Sequence, residues 1–294
     1  MDKIIVILGP TASGKSDLAV KIAKQFNGEI ISADSRQVYK GMDIGTGKIT
    51  KKEMQGVPHY LLDITSPKRK FTVVQYKKIA QKTIKKILGK GKIPIICGGT
   101  AFYIFALIDG LFIPIVKPDW KLRAKLEKLD IAELFKKLKK LDPKRAKTIE
   151  RKNKRRLIRA LEIIIKTKKP VPDIKKEPLP YPILILGIKK SPEKLKPLIE
   201  KRLKKRLKQG MVAEIKKLRK LPLSWQKIEQ FGLEYKYIAE FIQGKINKQE
   251  MIKRLQKDIE HFAKRQMNWF KRDKRIHWIK NYQEARKTIK QFLN

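Results

Sequence analysis

The apolar run Ile4-Ile5-Val6-Ile7-Leu8 leads directly into Gly9-Pro10-Thr11-Ala12-Ser13-Gly14-Lys15-Ser16, and Leu18, Ala19, Ile22, Ala23 and Phe26 then recur at helical spacing. A strand, a loop spaced G-x-x-x-x-G-K-[ST] and a helix in that order constrain the chain more than any other stretch. Backbone N–H groups and the positive end of the helix face an anion, Lys15 adds a point charge, and the Ser16 hydroxyl is available to Mg²⁺. These residues predict a di- or triphosphate site in an α/β protein.

The pattern of strand and helix continues. Residues 29–33 read as a second strand ending at Asp34, and residues 59–64 as a third. A helix is predicted over Val73–Leu88, with Tyr76, Ile79, Ala80, Ile84, Ile87 and Leu88 on its apolar face. Gly89 and Gly91 end it, residues 93–97 form the next strand, and Gly98-Gly99-Thr100 opens a helix over 101–107. Such alternation implies a parallel sheet covered on both faces.

Composition changes after Pro114. Residues 119–168 carry no strand signal, only short basic helices, the last over 154–166. A Pro-rich connector, 170–182, returns to a strand at Ile183–Ile188, followed by helices over 192–209, 211–218 and 249–270 and an edge strand over 275–279. The expected organisation is a P-loop NTPase-like parallel α/β core in two parts, 1–115 and 179–294. A helical insertion over 116–178 interrupts it, and the C-terminal part is mostly helical.

The 294 residues carry a net charge of +45, which points to a polyanionic partner, nucleic acid before membrane. Lysines solvating helix faces throughout the chain are the plainer account, and charge alone does not decide between them. Cys97 is the only cysteine, which excludes an intramolecular disulfide framework and a multi-cysteine zinc site; a buried core thiol is expected. No apolar run approaches the roughly 18 residues of a membrane span. No signal peptide is read at the start, so a cytoplasmic protein without a membrane is expected.

Three strand-end features should converge, because ligands in open α/β sheets bind beyond the carboxyl ends of the strands. They are the phosphate loop, Asp34 and the Gly98-Gly99-Thr100 turn. Asp34 suits a general base, a Mg²⁺-associated carboxylate or a turn cap; Thr100 suits a substrate or Asp34 hydroxyl partner, or a helix cap. His59 and His261 lack ligand spacing and read as hydrogen-bonding histidines. Arg155, Arg156 and Arg159 concentrate arginine in a Lys-dominated chain, which favours RNA-backbone contact over a merely solvated face. Arg202 is a candidate to neutralise a diphosphate, and Trp269 and Phe270 are read as core.

Gly9 to Ser16, Asp34-Ser35-Arg36-Gln37-Val38-Tyr39-Lys40-Gly41-Met42-Asp43-Ile44-Gly45-Thr46, Gly56-Val57-Pro58-His59, Leu61-Leu62-Asp63 and Gly98-Gly99-Thr100 together resemble the bacterial tRNA dimethylallyltransferases. The resemblance continues through Asn153-Lys154-Arg155-Arg156-Leu157-Ile158-Arg159-Ala160-Leu161-Glu162 and Ala263-Lys264-Arg265-Gln266 with Trp269-Phe270. It covers nearly the whole chain in order. One segment departs: Phe231-Gly232-Leu233-Glu234-Tyr235-Lys236 stands where the family usually has Gly-Tyr-(Lys/Arg) facing tRNA.

The resemblance implies transfer of a dimethylallyl group from dimethylallyl diphosphate to the exocyclic amine of the adenosine 3′ of the anticodon. It also implies Mg²⁺ and tRNA as partners, with the insertion taking part in tRNA binding, and a monomer is expected. By the same resemblance Asp34 is the general base and Thr100 its neighbour at the substrate. Gly9 to Ser16 and Arg202 take the diphosphate, with Ser16 at the metal. Asp34, Ser35, Arg36 and Gln37 meet the target adenosine, and Arg123, Arg155, Arg156, Leu157, Ile158 and Arg159 meet tRNA. The rival readings are a small-molecule or nucleotide kinase, which the same loop ordinarily serves, and a non-catalytic RNA-binding protein.

Overall fold

The computed structural model describes residues 2–114, 116–173 and 175–294. The chain runs β1 (Ile4–Leu8), α1 (Lys15–Gln25), β2 (Gly28–Ser32), α2 (Lys51–Met54), β3 (His59–Tyr60), α3 (Val73–Leu88), β4 (Ile93–Gly98) and α4 (Ala101–Ile108). Four helices follow: α5 (Trp120–Glu127), α6 (Ile131–Leu141), α7 (Pro143–Thr148) and α8 (Lys154–Thr167). Then come β5 (Ile183–Ile188), α9 (Pro192–Lys208), α10 (Met211–Arg219), α11 (Trp225–Glu229), α12 (Leu233–Ile242), α13 (Lys248–Phe270), β6 (Ile276–Ile279) and α14 (Tyr282–Leu293). Two compact units result: one holds the chain up to Asp109 together with Pro178–Asn294, the other Gly110–Glu177.

In the larger unit six strands lie in the order β3-β2-β4-β1-β5-β6, and every pairing is parallel. Side chains of β1 alternate, as the period of two requires. Ile4, Val6 and Leu8 enter a core with Tyr76, Ile84, Tyr103 and Ile104 of α3 and α4. Ile5 and Ile7 pack on the opposite side with Ala19 and Ile22 of α1 and Ala285 and Ile289 of α14. Both faces are dry, so the strands read as continuous apolar runs rather than alternating ones. A third core joins α9 to α13 and takes in Val38, Tyr39 and Met42 from the segment after β2.

Three features differ from the sequence reading. The strand predicted over 59–64 stops at Tyr60, because Leu61 and Asp63 adopt φ of 63° and 55°, incompatible with a pleated strand. The helix α14 had no counterpart in the sequence reading, although Asn281 caps it and its apolar face covers the sheet. The segment 225–242, to which the sequence reading assigned no element, forms α11 and α12 around Gly232.

At the other end of the sheet from the loop, the Glu29 carboxylate is buried at the start of β2. Burial alone would raise its carboxyl. Hydrogen bonds from Lys92 at 2.9 Å, the Tyr60 hydroxyl at 2.7 Å and Lys90 at 3.0 Å outweigh that and hold it at about 2.

The smaller unit has its own core of Leu126, Leu134, Leu138, Leu157, Ile158 and Leu161. A fully buried carboxylate, Glu162, organises it. Arg123 grips Glu162 with Nε to Oε1 at 2.8 Å and Nη2 to Oε2 at 2.6 Å, and the Asp119 N–H donates at 2.7 Å. Arg159 donates to the same carboxylate and to the carbonyls of Pro114 and Val116. Burial opposes ionisation here too, yet Arg123, the Asp119 N–H and Arg159 keep Glu162 at about 2.

The pH dependence of stability follows from Glu29. Its depressed folded-state carboxyl contributes stability that is complete above its ordinary value of 4.5 and is lost as pH falls towards about 2. Glu29→Gln should cost about 1–3 kcal/mol near neutral pH. Thermal unfolding followed between pH 7 and 3 should show the two proteins converging as pH falls below 4.5. A constant gap across that window would reject the account.

Candidate active site

The loop after β1 ends in Gly14 with φ 87°, and α1 begins there with no side chain capping it. Its first-turn N–H groups are therefore open to an anionic ligand. A buried amide fixes the loop from behind. Gln266 of α13 accepts from the Thr11 N–H at 2.8 Å and donates to the Gly99 carbonyl at 2.8 Å, so one side chain ties the phosphate loop to the turn after β4. That turn also approaches the end of β2 closely. A Cβ on Gly98 would lie 2.2 Å from the Ala33 carbonyl oxygen, so only glycine fits there.

Asp34 follows β2 and its Oδ1 accepts from the N–H groups of Arg36 at 2.8 Å and Gln37 at 3.4 Å. Neither bond uses Oδ2. The Thr100 hydroxyl accepts from the Ser35 N–H at 3.1 Å and makes no capping bond to α4, although its backbone stands at the cap position. Thr100 thus holds the Asp34 turn through Ser35. Gln37 accepts from the Ser32 hydroxyl at 3.1 Å and donates to the Gly47 carbonyl at 3.2 Å, which joins the same turn to the glycine-rich loop.

Three cations face this turn. Burial, and then the Arg202 guanidinium, push Lys15 below the ordinary ammonium value. Burial, and then Arg206, bring Arg202 down to about 10. Arg206 is buried and lowered in the same direction by burial, which Glu234 partly offsets; its Nη1 donates to the Gly45 carbonyl at 3.3 Å and to Glu234 at 3.4 Å. The loop over these cations is clamped by one carboxylate. Glu214 accepts from the N–H groups of Asp43 at 2.8 Å, Ile44 at 2.6 Å and Gly45 at 3.0 Å, and from the Tyr235 hydroxyl at 2.9 Å. Gly47, at φ 61°, lets the loop lie on Arg206, since a Cβ there would meet Nη2 at 1.4 Å.

The predicted Lys15, Ser16, Asp34, Ser35, Arg36, Gln37, Thr100 and Arg202 all line one crevice of about 460 Å³. A second cavity of about 600 Å³ shares Lys15, Ser16, Gly47 and Arg202 and adds Lys48, Lys205 and Arg206. The anion-binding groups thus border both spaces. Ser13 stands apart: its hydroxyl is buried without a hydrogen-bond partner, with Gly9 against it. Cys97 is buried as a core thiol, pushed up to about 12 by burial. His59 bonds the Val57 carbonyl at 2.8 Å, and His261 lies beside Asp258.

Several sequence expectations need correction. Leu157 and Ile158, read as tRNA contacts, are core of the smaller unit at 0% and 4% exposure and present no side chain to a partner. Arg123 and Arg159, placed with them, donate to Glu162 and keep side chains 25% and 31% exposed. Arg155 and Arg156 remain on the exposed face of α8. Phe270 is buried as expected, but Trp269 is 37% exposed and lines the crevice. In the atypical segment Phe231 and Tyr235 are core, while Glu234 serves Arg206.

Four residues of the site escaped the sequence reading: Arg206, Glu214, Glu234 and Gln266. Arg206 carried the signal of its spacing, four residues after Arg202, while Gln266 and Glu234 stood inside quoted motifs without an assigned role. Among the described residues no group of three His, Cys, Asp or Glu could hold a metal. Mg²⁺, however, usually keeps its waters and binds through one or two protein oxygens and substrate phosphates. The exposed Ser16 hydroxyl at the start of α1 suits that mode.

A strand-loop-helix turn, a carboxylate turn and paired guanidinium groups at the carboxyl edge of a parallel sheet are the features of a P-loop α/β protein. The IPP transferase family profile matches residues 37–273. A tRNA dimethylallyltransferase of Acetivibrio thermocellus is 43% identical, covering 95% of this chain and 92% of that protein. The full-length tRNA isopentenylpyrophosphate transferase of Bacillus halodurans superposes with a TM-score of 0.74 at 34% identity, over 100% of this chain and 96% of that one. A eukaryotic dimethylallyltransferase acting on tRNA gives a TM-score of 0.77 at 29% identity, over 92% of this chain and 70% of its own. The chain belongs to the IPP transferase family.

Gln266 generates a direct test. Gln266→Leu leaves the Thr11 N–H and the Gly99 carbonyl without their partner and should cost about 2–3 kcal/mol. Thermal unfolding should report that loss, and hydrogen exchange should show faster exchange at Thr11. Unchanged melting and protection would mean that the amide does not hold the loop.

Proposed function

We propose that this protein transfers the dimethylallyl group of dimethylallyl diphosphate to the exocyclic amine of the adenosine 3′-adjacent to the anticodon in tRNA. The observation that supports it most is the meeting of a fixed carboxylate, Asp34, with Lys15 and Arg202 in one crevice of a chain of this family. We also take it to act as a monomer. Among the described residues no helix is long and apolar enough to cross a membrane, and we assign the reaction to the cytoplasm.

The diphosphate lies in the phosphate loop, against the open N–H groups of α1 and the charges of Lys15 and Arg202. As the bond from the allylic carbon to the diphosphate oxygen breaks, negative charge grows on the leaving group, where these fixed dipoles and charges already point. The adenine nitrogen supplies the electron pair for the new carbon–nitrogen bond. Its proton passes to the Asp34 carboxylate, whose orientation is set by the Arg36 and Gln37 N–H groups. Mg²⁺ held by Ser16 and diphosphate oxygens would add charge stabilisation to the leaving group. Thr100 positions Asp34 through Ser35.

An adenine stacked in an anticodon loop must be extruded to reach Asp34, so the RNA needs contacts outside the crevice. The net charge of +45 supplies attraction, and the exposed Arg155 and Arg156 on α8 are the groups we assign to phosphate.

Protein incubated with Mg²⁺, labelled dimethylallyl diphosphate and unmodified tRNA should place label in the RNA. Phosphate transfer from ATP to a small acceptor without prenyl transfer would establish the kinase reading instead. Asp34→Asn should lower kcat by about 10²–10⁴-fold with tRNA binding retained. An unaltered kcat would remove Asp34 from the chemistry.

Replacing Arg155 and Arg156 by Ala should weaken tRNA binding at low salt and flatten its salt dependence by about two phosphate contacts. An unchanged slope in a filter-binding titration would reject them as phosphate contacts.

A further inference from the structure

The face of α13 that meets the crevice carries Phe262, Arg265, Gln266 and Trp269, and α4 adds Phe102. Gln266 is turned to the two loops it ties. The three aromatic side chains remain partly in water, Phe102 at 48%, Phe262 at 40% and Trp269 at 37% exposure. Single exposed apolar residues are ordinary surface features. Three large rings on one crevice are a patch that nothing in the phosphate chemistry uses. A cation accompanies them, since the Arg265 guanidinium sits 5.9 Å from the Phe262 ring centroid. Trp269 packs against Phe105, centroid to centroid 5.1 Å.

We propose that Phe102, Phe262 and Trp269, with Arg265, form a stacking platform for a base flanking the extruded adenine. The inference rests on the transferase reading above and adds the means by which the opened RNA loop is held. Pulling one base from a stack exposes the π-faces of its neighbours, and single-stranded RNA is gripped by aromatic rings and guanidinium planes. The three rings line the same crevice as Asp34, so a nucleotide beside the target base is within their reach. The strongly positive chain favours the phosphates that such a nucleotide carries.

The test measures binding of an anticodon stem-loop RNA to the wild-type protein and to the double variant Phe102→Ala/Phe262→Ala. Each is titrated with the intact loop and with loops made abasic on either side of the target adenosine. In the wild type one abasic position should weaken binding by about five- to a hundredfold, the range for loss of a stacked base. The double variant should lose a similar factor on the intact loop, and that abasic position should cost it nothing more. Phe262→Tyr alone, which keeps the ring, should bind as the wild type does. Both rings are exposed, so the melting temperature should hold; if it falls, the abasic loops on the wild-type protein decide the question. Affinity indifferent to the rings and to both abasic positions would overturn the platform. So would a defect confined to the KM for dimethylallyl diphosphate, which would show that the rings cover the prenyl chain instead. Transfer of label by the wild type in the same samples separates the two claims. No transfer sinks the transferase reading, whereas transfer with ring-independent affinity sinks the platform alone.

Discussion

The crowding of Lys15, Arg202 and Arg206 is the constraint around which the larger unit is arranged. Each is lowered by burial, and Lys15 and Arg202 are lowered further by neighbouring positive charge. Such a cluster is costly without an anion. The fold offsets part of the cost with Glu234 against Arg206, and Asp34 acts on all three cations in the favourable direction. An entering diphosphate would supply the remaining counter-charge. The elements that carry these groups, α1, α9 and α12, start or end at one edge of the sheet, and their packing positions charge before any substrate arrives.

Around that cluster the polar connections are redundant. Gln266 joins the phosphate loop to the β4 turn, Thr100 joins that turn to Ser35, and Gln37 joins the Asp34 turn to Gly47. Glu214 holds the neighbouring loop by three backbone N–H groups. Four side chains thus lock four loops, which is how irregular backbone keeps the sub-ångström placement that chemistry demands. The two glycines that matter most, Gly47 and Gly98, are the points where another group comes too close for any Cβ.

Much of the site could be read from the chain because it is local. Gly9 to Ser16 announces itself by spacing, and Asp34 and Thr100 follow from the rule that strand ends face one crevice. The partners that hold them are distant in sequence. Gln266 lies 255 residues from Thr11 and Glu214 171 from Asp43; the motif around Gln266 does not name its partner, and no local pattern marks Glu214. The arginine cluster shows the opposite failure. Residues 155–159 set Leu157 and Ile158 among three arginines, and one turn of helix sends those two into the core and Arg159 to Glu162, which leaves Arg155 and Arg156 outside. Trp269 and Phe270, adjacent in sequence, likewise take opposite fates on α13.

The central claim is that the cation cluster is a diphosphate site, and inorganic diphosphate tests it without RNA or a prenyl chain. Thermal unfolding of the wild-type protein with rising diphosphate and Mg²⁺ should move steadily upward. A saturating ligand at a hundred times its Kd contributes about 2.7 kcal/mol. In Lys15→Met/Arg202→Ala the shift should vanish. Equal shifts in both proteins, or none in the wild type, would contradict the assignment of these cations to the leaving group.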